Sequence, residues 1–176
     1  MKLMKYIKPL AAVIVLVVFD QWTKWLATAH LMGQEPIVLW DGVFELNYLE
    51  NRGMAFGLFQ NQKIFFVITT IIIVGFLCWF YHKIPDGKRH VWMKVAVVVC
   101  LAGALGNFVD RMLNSFVVDF FYFKLIDFPI FNVADIYVTC SAAFFLLLYI
   151  FYYKEADFDF LSRKKKDSEA KDAGEK

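Results

Sequence analysis

Two aspartates flank one short stretch of a very apolar sequence: Asp119 lies in "VVDFF" and Asp135 lies in "FNVAD". Two carboxyl groups held close together in a partly dry site cannot easily both ionise, so they share one proton. The ionised member can activate a water molecule while the protonated member polarises a carbonyl group. The two residues are therefore candidates for a dyad of the kind that aspartyl proteolysis requires, in which the proton belongs to the pair.

Further polar residues interrupt the apolar segments around this pair. An ionised group in hydrocarbon costs roughly 2.5 to more than 10 kcal/mol, so such residues mark either a function or a structural ion pair. Spacings of three and four residues place helical side chains on one face. Residues with these spacings occur in three separate apolar segments: Asp20 with Lys24, Asn107 with Asp110 and Arg111, and Asn132 with Asp135.

Four apolar blocks must position these residues. The chain has 176 residues, of which 60% are hydrophobic and 19% aromatic, and its mean hydropathy is +0.51. This is more apolar than a soluble domain, and each block has about the length that crosses a bilayer as a helix. The sequence therefore predicts a mainly α, polytopic membrane protein, with four spans over about residues 9–30, 64–82, 91–113 and 132–153.

Basic residues predict the orientation of these spans. Lysines precede the first span, the loop 83–89 is basic, and residues 163–166 follow the fourth span, whereas the other loops are mainly acidic. The positive-inside rule then places both termini in the cytoplasm and the polar residues of spans one, three and four near the outer surface. The first block also resembles a cleavable secretory signal, but Asp20 and Lys24 interrupt that pattern and favour an uncleaved span.

The segment between the first two spans, about residues 31–62, differs from the helices. It alternates β-branched and aromatic residues with polar ones, and Asp41–Gly42 is a strong turn signal. We predict a small extracytoplasmic β element there. The loop after the third span contains "VVDFFYF", which is apolar enough to dip toward the bilayer. Three aromatic residues of the β element are expected at the headgroup level: Trp40, Phe44 and Tyr48.

The remaining composition excludes several function classes. The three cysteines lie singly inside predicted spans and the histidines lie at span ends or in a basic loop, so no metal or other cofactor is expected. The formal net charge is only +2, with the basic residues at membrane flanks, so no nucleic-acid partner is expected. We predict one monomeric domain over residues 1–155 and a disordered cytoplasmic tail over residues 156–176.

Other interpretations of the buried charges stay open at this point. Asp20 with Lys24 and Asp110 with Arg111 could be ion pairs that hold together a non-catalytic assembly factor. A small transporter could relay protons on intramembrane acids, although the inner halves of the spans are almost wholly apolar. Prepilin-peptidase-like and presenilin-like proteases resemble each other in a GxGD motif, which does not occur in this sequence.

Five ordered motifs carry a resemblance to one family. They are "DQWTK" at 20–24, "NRGMAFG" at 51–57, "GALGNFVDR" at 103–111, "VVDFF" at 117–121 and "FNVAD" at 131–135. Together they closely resemble the lipoprotein signal peptidase family, also called signal peptidase II, over about residues 5–153. One position departs from the family pattern: Ala102 stands where the family usually has a glycine, which bears on helix packing more than on chemistry.

The resemblance implies a four-span aspartyl endopeptidase of the bacterial cytoplasmic (inner) membrane, with its active site near the extracytoplasmic face. Such an enzyme cleaves prolipoproteins just before a cysteine that carries diacylglycerol, and globomycin-like peptides inhibit it. On the family pattern the catalytic acids fall on Asp119 and Asp135. Positions that support the site or the substrate fall on Asp20, Lys24, Asn51, Gly53, Asn107, Asp110, Arg111, Asn132 and Ala134.

Four apolar residues near these motifs could also form walls for the acyl chains of a substrate or of membrane lipid. Ordinary packing against lipid or within the core explains the same residues without a specific role. They are Met54, Phe56, Phe59 and Phe121.

Overall fold

Four long helices dominate the structure. The computed structural model describes residues 4–53 and 63–161. All four helices are long and apolar enough to cross a membrane, which confirms the predicted mainly α membrane fold. They are α1 (Met4–Leu31), α2 (Lys63–Lys83), α3 (Val91–Asn114) and α4 (Val133–Phe151).

Helix α3 is the centre of the bundle and packs against the other three helices. Two glycines allow this close packing. A Cβ atom on Gly103 would lie 2.5 Å from the carbonyl oxygen of Ala134 on α4, and one on Gly106 would lie 2.6 Å from Oδ2 of Asp20 on α1. Real Cβ atoms do not approach other atoms so closely. Because glycine has no side chain at these two positions, α1 and α4 can pack directly against α3.

The predicted β element is present, and the Asp41–Gly42 turn connects its two strands. Strands β1 (Ile37–Trp40) and β2 (Phe44–Asn51) pair antiparallel. The chain reverses between them with a φ of 68° at Gly42, a conformation that favours glycine. Trp40 is 69% exposed, whereas Phe44 packs against Phe121 and Phe123.

A third strand, which was not predicted from the sequence, joins this sheet. Strand β3 (Val117–Tyr122) lies in the "VVDFFYF" segment and pairs antiparallel with β2. Asp119 stands opposite Leu49, and Phe121 forms a further bridge with Phe131. Pairing satisfies main-chain groups that hydrocarbon would leave without partners.

Two apolar clusters anchor the two ends of the bundle. The first packs the sheet onto the helices and contains Ala27, Leu31, Val118, Phe120 and Val133. The second lies at the opposite end and contains Phe80, Ile84, Met93, Val97, Leu148 and Tyr153.

The C-terminal region corrects one predicted boundary. The disordered tail was predicted to begin at residue 156, but Glu155–Leu161 form a 3-10 helix. Phe158 and Phe160 of this helix pack against the second cluster, and Asp157 pairs with Arg89 at 2.9 Å. The aromatic residues in this short segment provide the apolar contacts that a disordered tail lacks.

Candidate active site

Strand β3 places Asp119 inside the protein next to the end of β2. Asp119 is 1% exposed, and its carboxylate accepts two hydrogen bonds. Asn51, the last residue of β2, donates from Nδ2 to Oδ2 at 2.8 Å, and Asn132 donates from Nδ2 to Oδ1 at 2.5 Å. Two amide donors therefore orient the carboxylate without adding a charge.

The first turn of α4 places Asp135. Asn132 is the N-cap of α4, and its side chain accepts from the backbone N–H of Asp135 at 3.0 Å. In return, the backbone N–H of Asn132 donates to Oδ2 of Asp135 at 3.1 Å, which completes a capping box. The other oxygen of Asp135 accepts from Nδ2 of Asn107 at 2.7 Å.

Asn132 connects the two acids directly, because it contacts both carboxylates and is itself fully buried. Its Nδ2 group also donates to Oδ1 of Asn107 at 3.2 Å. Asp135 is half-buried and so more accessible than Asp119. The site therefore combines one enclosed acid with one accessible acid.

Burial raises the pKa of Asp119 to about 7 from its usual value of 3.8, and the negative charge of Asp135 adds to the increase. The hydrogen bonds from Asn51 and Asn132 and the charge of Lys24 oppose it, because they stabilise the ionised form. A carboxyl group with such a pKa can hold a proton near neutral pH, as a shared-proton dyad requires.

A buried lysine organises the residues behind the two acids. Lys24 is 3% exposed and forms ion pairs with Asp20 at 2.9 Å and with Asp110 at 3.0 Å. Its Nζ atom also donates to Oδ1 of Asn107 at 2.9 Å. Because that oxygen is occupied by the ammonium group, the amide nitrogen of Asn107 is directed at Asp135.

Asp20 and Asp110 connect this cluster to neighbouring elements. Oδ1 of Asp20 accepts from the backbone N–H of Ala134 at 2.8 Å, so α1 is tied to the start of α4. Oδ2 of Asp110 accepts from the backbone N–H of Val118 at 3.3 Å, so α3 is tied to β3. The residues that precede the two candidate acids in the sequence are thereby fixed by the same buried charges.

One member of this cluster was missed by sequence reasoning. Gln21 donates from Nε2 to Oδ1 of Asp110 at 2.9 Å, to Oδ2 of Asp20 at 3.2 Å and to the carbonyl oxygen of Gly106 at 3.1 Å. The available signal was a polar residue directly beside Asp20 in an apolar segment.

Arg111 does not form the ion pair with Asp110 that one interpretation of the sequence required. Asp110 pairs with Lys24, and none of the ion pairs among residues 4–53 and 63–161 involves Arg111. Its guanidinium lies over the ring of Phe66 at 4.7 Å, and its charge interacts with those of Asp135 and Asp119. Arg111 thus contacts α2, and its positive charge acts on the two candidate acids.

The remaining predicted residues lie at the edge of the site or outside the described part. Gly53 is buried, and its N–H donates to Oδ1 of Asn51 at 3.0 Å, which fixes the amide that faces Asp119. Phe121 is half-buried among other phenylalanines. Three predicted wall residues lie outside the described residues: Met54, Phe56 and Phe59.

The groups at this site that could carry out a reaction are the carboxyl groups of Asp119 and Asp135. Among residues 4–53 and 63–161, no group of three or more His, Cys, Asp or Glu side chains is placed to hold a metal ion. The fold and the site together define a class: an integral membrane hydrolase of the aspartic type.

Comparison with known proteins narrows this class to one family. Residues 12–151 match the family model described as signal peptidase (SPase) II, and the chain belongs to this family. It is 38% identical over 144 residues to the lipoprotein signal peptidase of Streptococcus thermophilus (strain CNRZ 1066), covering 82% of this chain and 91% of the relative. It is 34% identical over 147 residues to that of Streptococcus pyogenes serotype M5 (strain Manfredo), covering 84% and 93%.

Two solved structures share the fold. Both are described as a bacterial membrane enzyme structure obtained by the in meso method. One, at 2.3 Å resolution, has a TM-score of 0.71 and 33% identity, and the match covers 90% of this chain and 92% of that one. The other, at 1.9 Å resolution, has a TM-score of 0.72 and 32% identity, with coverage of 83% and 94%.

Proposed function

We propose that this protein is a lipoprotein signal peptidase in which Asp119 and Asp135 are the catalytic dyad. The observation that carries the proposal is the position of the two acids on either side of Asn132, which contacts both carboxylates. The proposal extends to substrates: prolipoproteins are cut just before a diacylglyceryl-modified cysteine.

In the proposed mechanism the dyad holds one proton. The ionised carboxylate removes a proton from a water molecule as that water attacks the scissile carbonyl carbon, and the protonated carboxyl donates a hydrogen bond to the carbonyl oxygen. The tetrahedral intermediate then expels the amine, which takes up a proton from the dyad. Asn51, Asn107 and Asn132 hold the carboxylates in place without neutralising them.

The position of the reaction follows from the topology. The basic flanks support an orientation with both termini in the cytoplasm, in which the sheet and the two acids lie near the extracytoplasmic face of the bacterial inner membrane. A substrate held by its membrane-embedded signal segment would present its scissile bond at this depth.

The test uses purified protein and a synthetic diacylglyceryl-modified prolipoprotein. Asp119→Asn and Asp135→Asn should each lower cleavage by at least 100-fold, because neither variant can hold a shared-proton dyad. The control is Asp41→Asn, the same change in an exposed turn residue, and it should cleave at the normal rate. Normal cleavage by either dyad variant, with normal insertion into the membrane, would exclude the proposed mechanism.

A further inference from the structure

An apolar cavity of about 440 Å³ lies between α2 and α4, on the surface of α3. Its floor consists of Ala96, Val97 and Cys100 of α3, and aromatic side chains of α2 and α4 form its walls. A cavity of about 150 Å³ lined by similar residues takes up a benzene ring, so this one has room for several apolar side chains. Ser141 also lines it, but its hydroxyl already donates to the carbonyl oxygen of Val138 at 3.0 Å.

Aromatic side chains pack together at the end of the cavity remote from the two acids. There Phe80 of α2 packs against Phe145 of α4 and Phe160 of the C-terminal 3-10 helix, with ring centroids 6.0 and 6.1 Å apart. The same 3-10 helix contributes Phe158 and Leu161 to the lining. This aromatic packing hinders entry into the cavity along the bundle axis from that end.

The other end of the cavity is in line with the dyad. Cys100 precedes Asn107 by seven residues on α3, and Ala142 follows Asp135 by seven residues on α4. Seven residues are two helical turns, so each pair shares one helix face, about 10 Å apart along the axis. The cavity and the hydrogen-bonded pair Asn107 and Asp135 therefore lie on the same faces of α3 and α4, two helical turns apart.

We infer that this cavity binds apolar side chains of the signal segment, about seven residues before the scissile bond, and this inference rests on the proposed function. A segment that is cut at the dyad and continues into the bilayer as a helix advances about 1.5 Å per residue, so its seventh residue reaches the depth of Cys100 and Ala142. An apolar lining binds by non-directional burial, which selects for hydrophobicity and not for one sequence.

A bilayer lipid is a less suitable occupant. A lipid of the leaflet nearest the cavity has its headgroup at the end remote from the two acids, where the packed rings of Phe80, Phe145 and Phe160 hinder a direct path along the bundle. The signal segment, which is cut at the two acids under the proposed function, approaches from the opposite end. The two occupants also predict different kinetics, because a lipid acts on the enzyme whatever substrate is used.

The experiment compares two substrates, one with a complete signal segment and one truncated to the few residues before the scissile bond. Ala142→Phe places a ring in the mouth of the cavity, and Ala143→Phe is the matched control on the neighbouring exposed face of α4. We expect Ala142→Phe to raise KM for the complete substrate by about tenfold, with kcat unchanged and the truncated substrate unaffected, because it removes uniform binding. Ala143→Phe should change neither substrate.

An unchanged KM for the complete substrate, or an equal effect on both substrates, would overturn the inference, and the equal effect is the result that a lipid occupant predicts. Failure of the wild-type protein to cut either substrate would instead exclude the proposed function.

A second measurement uses the native thiol of Cys100 in the Asp119→Asn variant. Substrates with a single added cysteine should crosslink to Cys100 most strongly about seven residues before the scissile bond, and crosslinking to the exposed Cys140 instead would also overturn the inference.

Discussion

The side-chain amide of Asn132 donates to Oδ1 of Asp119 across 2.5 Å, while its backbone N–H donates to Asp135 at 3.1 Å. One residue thus fixes the distance and the relative orientation of two acids from different elements, β3 and α4. The same residue is the N-cap of α4, so its role in helix stability and its role at the dyad can be separated only by the choice of substitution.

Substitution of Asn132 should separate these roles. Asn132→Ser keeps an N-cap oxygen but removes the amide donor to Asp119, so we expect near-normal thermal stability and a loss of activity of about 100-fold. Asn132→Ala removes both and should in addition lose about 1 kcal/mol of stability. Thermal unfolding and single-turnover cleavage, measured on the same preparations, check both effects. Wild-type activity in the serine variant would show that the amide contact is dispensable.

Activity should depend on pH through the proton that the dyad shares. Because the pKa of Asp119 is raised to about 7, the pair loses its proton as pH rises through about 7, and kcat/KM should fall above that value. Asn51→Ala removes a hydrogen bond that lowers this pKa, so the alkaline limb should move to higher pH. Asn47→Ala, the same change on the same strand, is the control. A wild-type rate that is constant from pH 6 to pH 9 would contradict this assignment.

The same pKa predicts how stability depends on pH. Asp119 has a pKa of about 7 in the folded protein and about 3.8 in the unfolded chain, so between these values the folded state binds more protons. The contribution of this residue to folding free energy therefore declines as pH rises from about 4 to about 7. Asp119→Asn should flatten that part of the curve when thermal unfolding is followed at several pH values.

The buried ammonium group of Lys24 should be essential for both stability and activity. Lys24→Met leaves the carboxylates of Asp20 and Asp110 buried without their cation, a change that costs about 3 to 5 kcal/mol in comparable buried pairs. It also releases the amide of Asn107 that faces Asp135, so the protein that stays folded should have a lowered kcat. The control is Lys83→Met, an exposed lysine at the end of α2, and an equal loss of stability there would contradict the prediction.

Much of this architecture could be predicted from the sequence because its signals are local. Apolar length indicated the helices, the Asp41–Gly42 turn indicated the hairpin, and the ordered motifs indicated the two acids that the structure brings together on Asn132. The pairing of β3 with β2 could not be predicted, because a short apolar segment has no local signal for a distant partner strand. The structure also shows no ion pair between Asp110 and Arg111. Adjacent residues on a helix point in different directions, and Asp110 instead pairs with Lys24 of α1.

Close packing between α1 and α3 at Gly106 should not tolerate a larger residue. In Gly106→Ala the new Cβ atom would lie 2.6 Å from Oδ2 of Asp20, whose carboxylate is held by Lys24 and by the backbone of Ala134 and cannot move aside easily. We expect a loss of about 1 to 3 kcal/mol from overpacking and a reduced cleavage rate, because the start of α4 moves with Ala134. Gly75→Ala on α2 is the matched control: nothing lies within 4 Å of its new Cβ, so helix propensity should leave stability unchanged or raise it by up to about 1 kcal/mol. Equal unfolding temperatures for the two variants would show that α1 and α3 can separate slightly without disturbing the site.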